Sequence, residues 1–127
     1  MINKENKPNI IIIFADDLGY GDLGCYGSKI NETPTLDRMA DEGKKFSNFY
    51  VSSPVCSPSR ASLLTGCYPQ RISFGTFDGL RVLFPGQGIG LSTEEKTIAK
   101  TLKESGYSTK IIGKWHCGDQ KDFLPTN

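Results

Sequence analysis

Cys56-Ser57-Pro58-Ser59-Arg60 sets a thiol, a helix-starting proline and a guanidinium within five residues. Pro58 suits the first turn of a helix, which predicts Cys56 just before a helix N-terminus. Backbone N–H groups and the positive end of the helix dipole would then face the Cys56 side chain. Arg60 falls in the first turns of the same helix. Its fork of donors matches a tetrahedral oxyanion such as sulfate or phosphate. Such a place also favours a reactive thiolate. The plain alternative is a buried thiol beside an ordinary helix cap.

Two further groups could carry chemistry. Asp16 and Asp17 follow the apolar run 9–15. Ligand sites in α/β sheets collect at the C-terminal ends of strands. Adjacent carboxylates repel unless a cation lies beside them, and a hard divalent cation would relieve this. The alternative is a solvated turn. Lys114 and His116 flank Trp115, and residues two apart on an extended segment point to the same side. A cation and the chain's sole imidazole would then converge, placing any histidine acid–base role on His116. The alternative is a surface histidine beside a packed tryptophan.

The elements that must position these groups follow from periodicity and punctuation. The run 9–15 is β-branched and unbroken, which suits a strand buried on both faces. The glycine-rich stretch 19–27 reads as a loop at its end. Thr33-Pro34 starts a helix with Thr33 as cap, Leu36, Met39 and Ala40 on one face, and Gly43 as the stop. Residues 45–51 suit a second strand, and a short helical stretch runs from Pro58 to Gly66. Residues 67–90 form a long loop, whose aromatic part 68–84 is a candidate wall for a substrate pocket. Ser92-Thr93-Glu94-Glu95 reads as a capping box opening a helix with Ile98, Ala99 and Leu102 on one face and Gly106 as the stop. Residues 107–112 suit a third strand.

This alternation predicts an α/β fold, part of a mostly parallel sheet flanked by helices. Three buried parallel strands would leave an edge exposed. The expectation is therefore a truncated sheet, with residues 8–127 the N-terminal portion of a catalytic domain and residues 1–7 a short polar extension.

Composition narrows the classes. The 127 residues carry a net charge of +1, so neither nucleic acid nor a membrane surface is implied as partner. Residues 1–8 show no apolar segment before a small-residue cleavage site, and the chain as given reads as cytoplasmic with export open. Cys25, Cys56, Cys67 and Cys117 contain no C-x-x-C pair, which argues against structural zinc. Cys25, Cys67 and Cys117 are expected as free thiols.

Taken together, the segments resemble the type I sulfatases, the formylglycine-dependent members of the alkaline phosphatase superfamily. Residues 56–66 look like that family's modification signature. Residues 9–22 look like its first strand and metal-binding loop, and Gly113-Lys114-Trp115-His116 is similar to its third motif. The stretch 90–126 is nearest the arylsulfatase branch. The resemblance implies that a sulfatase-maturation enzyme oxidises Cys56 to formylglycine, whose hydrate attacks sulfur. It implies Ca²⁺, with Mg²⁺ as the alternative, held by Asp16, Asp17 and the residue at Cys56. It implies that Arg60 stabilises the hydrate, Lys114 binds sulfate or hydrate, and His116 assists proton transfer. The implied substrate is a small sulfate ester or a sulfated carbohydrate. The family's remaining ligands, a second lysine and a leaving-group histidine come from later chain, so this stretch alone is expected to bind metal weakly and not to turn over. A phosphoryl or phosphonate transferase of the same superfamily, or a non-catalytic domain, are the competing classes.

Overall fold

In the computed structural model the described residues are 7–76, 79 and 81–126. Contacts divide the chain into two compact units, Met1–Asn48 and Phe49–Asn127. Most of the polar extension expected at 1–7 lies outside the described residues, as do Phe77, Asp78 and Leu80 of the expected pocket loop.

The first unit is held by hydrogen bonds rather than by a core, since none of its described residues is buried. Two 3₁₀ turns, Tyr20–Asp22 and Gly24–Tyr26, occupy the predicted glycine-rich loop. Helix α1 follows at Pro34–Glu42, with proline in its first turn and Gly43 at its end, as expected. Thr33 is the N-cap residue, yet its hydroxyl makes no capping bond. It instead accepts from Gly24 N at 2.8 Å and donates to Asp37 Oδ1 at 2.9 Å. Asp37 Oδ1 also accepts from Cys25 N at 2.7 Å. The first turn of α1 thus clamps the turn after the Asp16-Asp17 pair. The clamp explains Gly24, because a Cβ there would lie 2.4 Å from Asp37 Oδ2. Tyr26 adds a second tie, donating to Phe46 O at 2.6 Å. The Tyr20 and Tyr26 rings also meet edge to face, with centroids 4.8 Å apart.

The second unit holds the core. Ala61, Ile72, Phe74, Leu83, Leu91 and Cys117 form one buried cluster, with Leu64, Cys67 and Trp115 packed against it. Helix α2 spans Cys56–Thr65 and ends at Gly66, whose positive φ of 70° suits glycine. Its buried face is made of small residues, Ser57, Pro58, Ser59, Ala61 and Ser62, while Leu63 is exposed. Small side chains let neighbouring backbone approach this helix closely. The long loop 67–90 contributes the 3₁₀ turn Pro69–Ile72 and three of the six core side chains, Ile72, Phe74 and Leu83.

Helix α3 spans Ile98–Glu104, starting later than the capping box predicted. Ser92 closes a separate turn, its carbonyl accepting from Glu95 N at 3.1 Å and its hydroxyl from Glu94 N at 3.2 Å. Thr97 is the cap instead, its hydroxyl accepting from Lys100 N at 3.2 Å. The Lys100 ammonium donates to the carbonyls of Thr93 and Glu95, satisfying the turn from inside the helix. Past the helix, Tyr107 N donates to Leu102 O and Gly106 takes a φ of 81°, so the predicted stop holds.

The polar tail, expected to lack a closing element, folds back through the 3₁₀ turn Lys121–Phe123. Trp115 Nε1 donates to Phe123 O at 3.0 Å and Leu91 N to Cys117 O at 2.8 Å. Gly90 sits in this closure. A Cβ there would lie 2.5 Å from the Phe123 ring and 2.8 Å from Cys117 O.

The three predicted strands are not formed among the described residues. A strand exists through its ladder, and none runs along these segments among the described residues. Ile10, Ile11, Ile12 and Ile13 are 49%, 82%, 51% and 79% exposed, a period of two that fits an extended run. Ile111 and Ile112 are exposed as well.

Candidate active site

Asp16 and Asp17 stand in the first unit. Cys56, Arg60, Lys114 and His116 stand in the second. Both aspartates are exposed, and Asp17 has a φ of 56°. The left-handed region is uncommon for a residue with a Cβ, though aspartate tolerates it better than most. Two hard carboxylates side by side suit a divalent cation. Alone they underfill the six to eight oxygens that calcium takes.

In the second unit, Cys56 is the first residue of α2 rather than the residue before it, and Val55 is the cap. The helix starts early because Ser59 N already donates to Val55 O at 3.2 Å. The half-buried Cys56 side chain therefore stands in the first turn, where unpaired N–H groups and the dipole favour negative charge. Arg60 lies four residues on, one turn along the same helix.

Several long-range bonds tie this turn to the segment 114–117. Arg60 Nη1 donates to Lys114 O at 2.9 Å. Cys117 Sγ donates to Ser57 O at 3.9 Å. Leu83 N donates to the Ser57 hydroxyl at 3.1 Å, and His116 Nε2 lies 2.8 Å from Leu83 O. His116 has a φ of 57°, so the simple alternation on which the convergence of Lys114 and His116 was expected does not run through it. The Leu83 carbonyl sets the ring instead. Of the three described non-glycine residues at positive φ, two are Asp17 and His116, and such strain gathers at functional sites.

All four cysteines are free, as expected for Cys25, Cys67 and Cys117. Burial pushes the Cys117 thiol up from 9.0 to about 12, against a smaller lowering by the Arg60 guanidinium. Below pH 9 the thiol is protonated in both folded and unfolded chains. Between 9 and 12 only the unfolded chain releases the proton, so this contribution to stability is lost as pH rises. Denaturant midpoints taken at pH about 8 and about 10.5 should therefore fall, and fall less in Cys117→Ala. Iodoacetamide should reach Cys117 only on unfolding. An alkaline slope identical in the variant would refute the assignment.

A family model described as "Sulfatase" matches residues 8–123. The chain belongs to the sulfatase family. Among curated sulfatases it is similar to arylsulfatase A of Homo sapiens, with 52% identity over 120 residues, covering 93% of this chain and 23% of that one. It is 50% identical to steryl-sulfatase of Homo sapiens over 114 residues, covering 89% and 20%. It is 49% identical to N-acetylgalactosamine-6-sulfatase of Sus scrofa over 121 residues, covering 93% and 23%. The chain thus spans about a fifth to a quarter of the length of these sulfatases. Its backbone is similar to that in the crystal structure of Ps i-CgsB, with a TM-score of 0.87 and 45% identity, covering 95% of this chain and 26% of that one. The same protein has been solved in complex with k-i-k-neocarrahexaose. The fold is accordingly that of the sulfatases, of the alkaline phosphatase type.

Two features of this candidate site were not legible in its motifs. The Leu83 carbonyl acts through backbone, so no side-chain pattern marks it. Ser57 lies inside the signature, but only its burial shows that its hydroxyl is used internally.

Proposed function

We propose that the whole protein is a sulfuric ester hydrolase acting through a formylglycine hydrate made from Cys56. The observation that carries this reading is the family match over residues 8–123, with Cys56 opening helix α2 and Arg60 one turn along it. A sulfatase-maturation enzyme, bringing its own oxidant, would oxidise the Cβ of Cys56 to an aldehyde with loss of the sulfur as sulfide, and water would hydrate the aldehyde. One hydroxyl of the hydrate attacks sulfur and the alcohol departs. Loss of the proton from the second hydroxyl then expels sulfate and restores the aldehyde, so no water need attack sulfur.

The charged groups have matching tasks. Negative charge builds on the non-bridging and leaving oxygens, and fixed cations stabilise it. Arg60 stabilises the hydrate, Lys114 binds sulfate, and His116 moves the hydrate's proton. Asp16 and Asp17 would supply carboxylate oxygens for Ca²⁺ or Mg²⁺, with the residue at position 56 and further ligands from the rest of the protein. When bound, the cation lowers the cost of charge on the reacting oxygens. The apolar runs 9–15, 45–51 and 107–112 pair as strands of a mostly parallel sheet in the whole protein. The exposed isoleucines of 9–15 and 107–112 and the exposed Phe46, Phe49, Tyr50 and Val51 of 45–51 support this. A sulfated carbohydrate is the favoured substrate, supported by the N-acetylgalactosamine-6-sulfatase relative and by the oligosaccharide complex of Ps i-CgsB.

Peptide mass spectrometry tests the central step. Protein made together with a maturation enzyme should give a Cys56 peptide lighter by the difference between a thiol and an aldehyde. An active enzyme whose Cys56 remains a thiol would overturn the reading.

A further inference from the structure

We infer that His116 works through Nδ1, and that Ser57 is the positioning residue that fixes its ring in that form. The Leu83 carbonyl oxygen lies 2.8 Å from His116 Nε2. A carbonyl only accepts, so the neutral ring carries its proton on Nε2, leaving the lone pair on Nδ1. That Nδ1 is buried and has no hydrogen-bond partner among the described residues. A buried acceptor without a donor is costly. The residue also holds a φ of 57°, a second cost at the same place. An unpartnered buried acceptor on a residue held at positive φ marks a position where a hydrogen-bond donor belongs.

Leu83 can fix the ring only if it is itself fixed. It is 4% exposed, and its N–H donates to the Ser57 hydroxyl at 3.1 Å. Ser57 is fully buried, and its carbonyl accepts from the Cys117 thiol at 3.9 Å. The residue after Cys56 therefore holds Leu83, and Leu83 holds the imidazole. A change at Ser57 reaches His116 through one peptide segment and without touching Cys56. The consequence for catalysis rests on the role proposed above for His116 at the hydrate. The tautomer itself does not.

His116 is the only histidine of these 127 residues, and in the longer protein its ring signals are the ones lost in His116→Gln, so a long-range ¹⁵N–¹H correlation spectrum of the ¹⁵N-labelled protein reports this ring. In the neutral ring, Nε2 should show the shift of a protonated nitrogen and Nδ1 that of a bare one. A protonated Nδ1, or the averaged shifts of an unheld ring, would overturn the inference. Ser57→Ala should move both shifts toward the average, and Ser57→Thr should restore them. A merely structural role for Ser57 would lower stability and leave the shifts in place, which refutes the positioning assignment. Should Ser57→Ala not fold, hydrogen exchange in the unsubstituted protein decides, with a slow Leu83 amide expected and a fast one contrary. None of these readouts uses sulfatase activity, so this inference and the proposed function fail independently.

Discussion

Cys56→Ala should lower kcat/KM for an aryl sulfate, in the intact maturated enzyme, by on the order of 10⁵-fold or more. Alanine offers no atom that can become an aldehyde, so nucleophile and leaving mechanism vanish together. The remaining cations would still bind a sulfate ester, so KM should change far less than kcat. Cys56→Ser separates the two halves of the mechanism. An unmodified serine oxygen could attack sulfur, but it has no second hydroxyl to expel sulfate. A single turnover should leave a sulfated serine, visible by mass. Alanine-variant activity within tenfold of the parent would remove Cys56 from the centre of the reaction.

Phe74→Ala should destabilise the protein by about 3–5 kcal/mol, the range for truncating a buried phenylalanine. The ring is 1% exposed and belongs to the only buried cluster among the described residues. That cluster carries the second unit's candidate site residues. Ala61 lies on the helix that begins at Cys56, Leu83 offers its carbonyl to His116, and Cys117 adjoins His116. A cavity at Phe74 thus loosens three pieces of backbone that carry or hold candidate site residues. The urea midpoint should drop with little change in slope, and Phe74→Leu should lose less than half as much. Midpoints for Phe74→Ala within error of the parent would show that the cluster does not hold the unit together.

The sequence was most informative where chemistry or local geometry fixes residue type. The helix after Thr33-Pro34 with its end at Gly43, and the left-handed glycine stops at Gly66 and Gly106, were legible because helix ends depend on a few neighbouring residues. Competition between local signals was less legible. Thr33 and Ser92 both read as caps. The Thr33 hydroxyl is instead taken by Gly24 and Asp37, and Ser92 closes its own turn while Thr97 caps α3. Either partner set satisfies the hydroxyl, and only packing chooses between them. The predicted strands show the same limit. The apolar runs are real, but a ladder requires a second segment, which periodicity cannot supply.

The sequence by itself determined the family and the chemical inventory: a cysteine in a sulfatase signature, an arginine four residues on, an aspartate pair, a lysine and one histidine. Residue type at fixed spacing is enough for that, because nucleophile, cation and carboxylate are properties of side chains. The tertiary structure decided how the second unit's groups are held. It placed Cys56 inside α2, turned His116 to a positive φ, and joined both regions through Ser57 and Leu83. Those links run between residues 26 and 33 positions apart, partly through backbone atoms that every residue shares. Only the folded chain can bring such atoms within hydrogen-bonding distance.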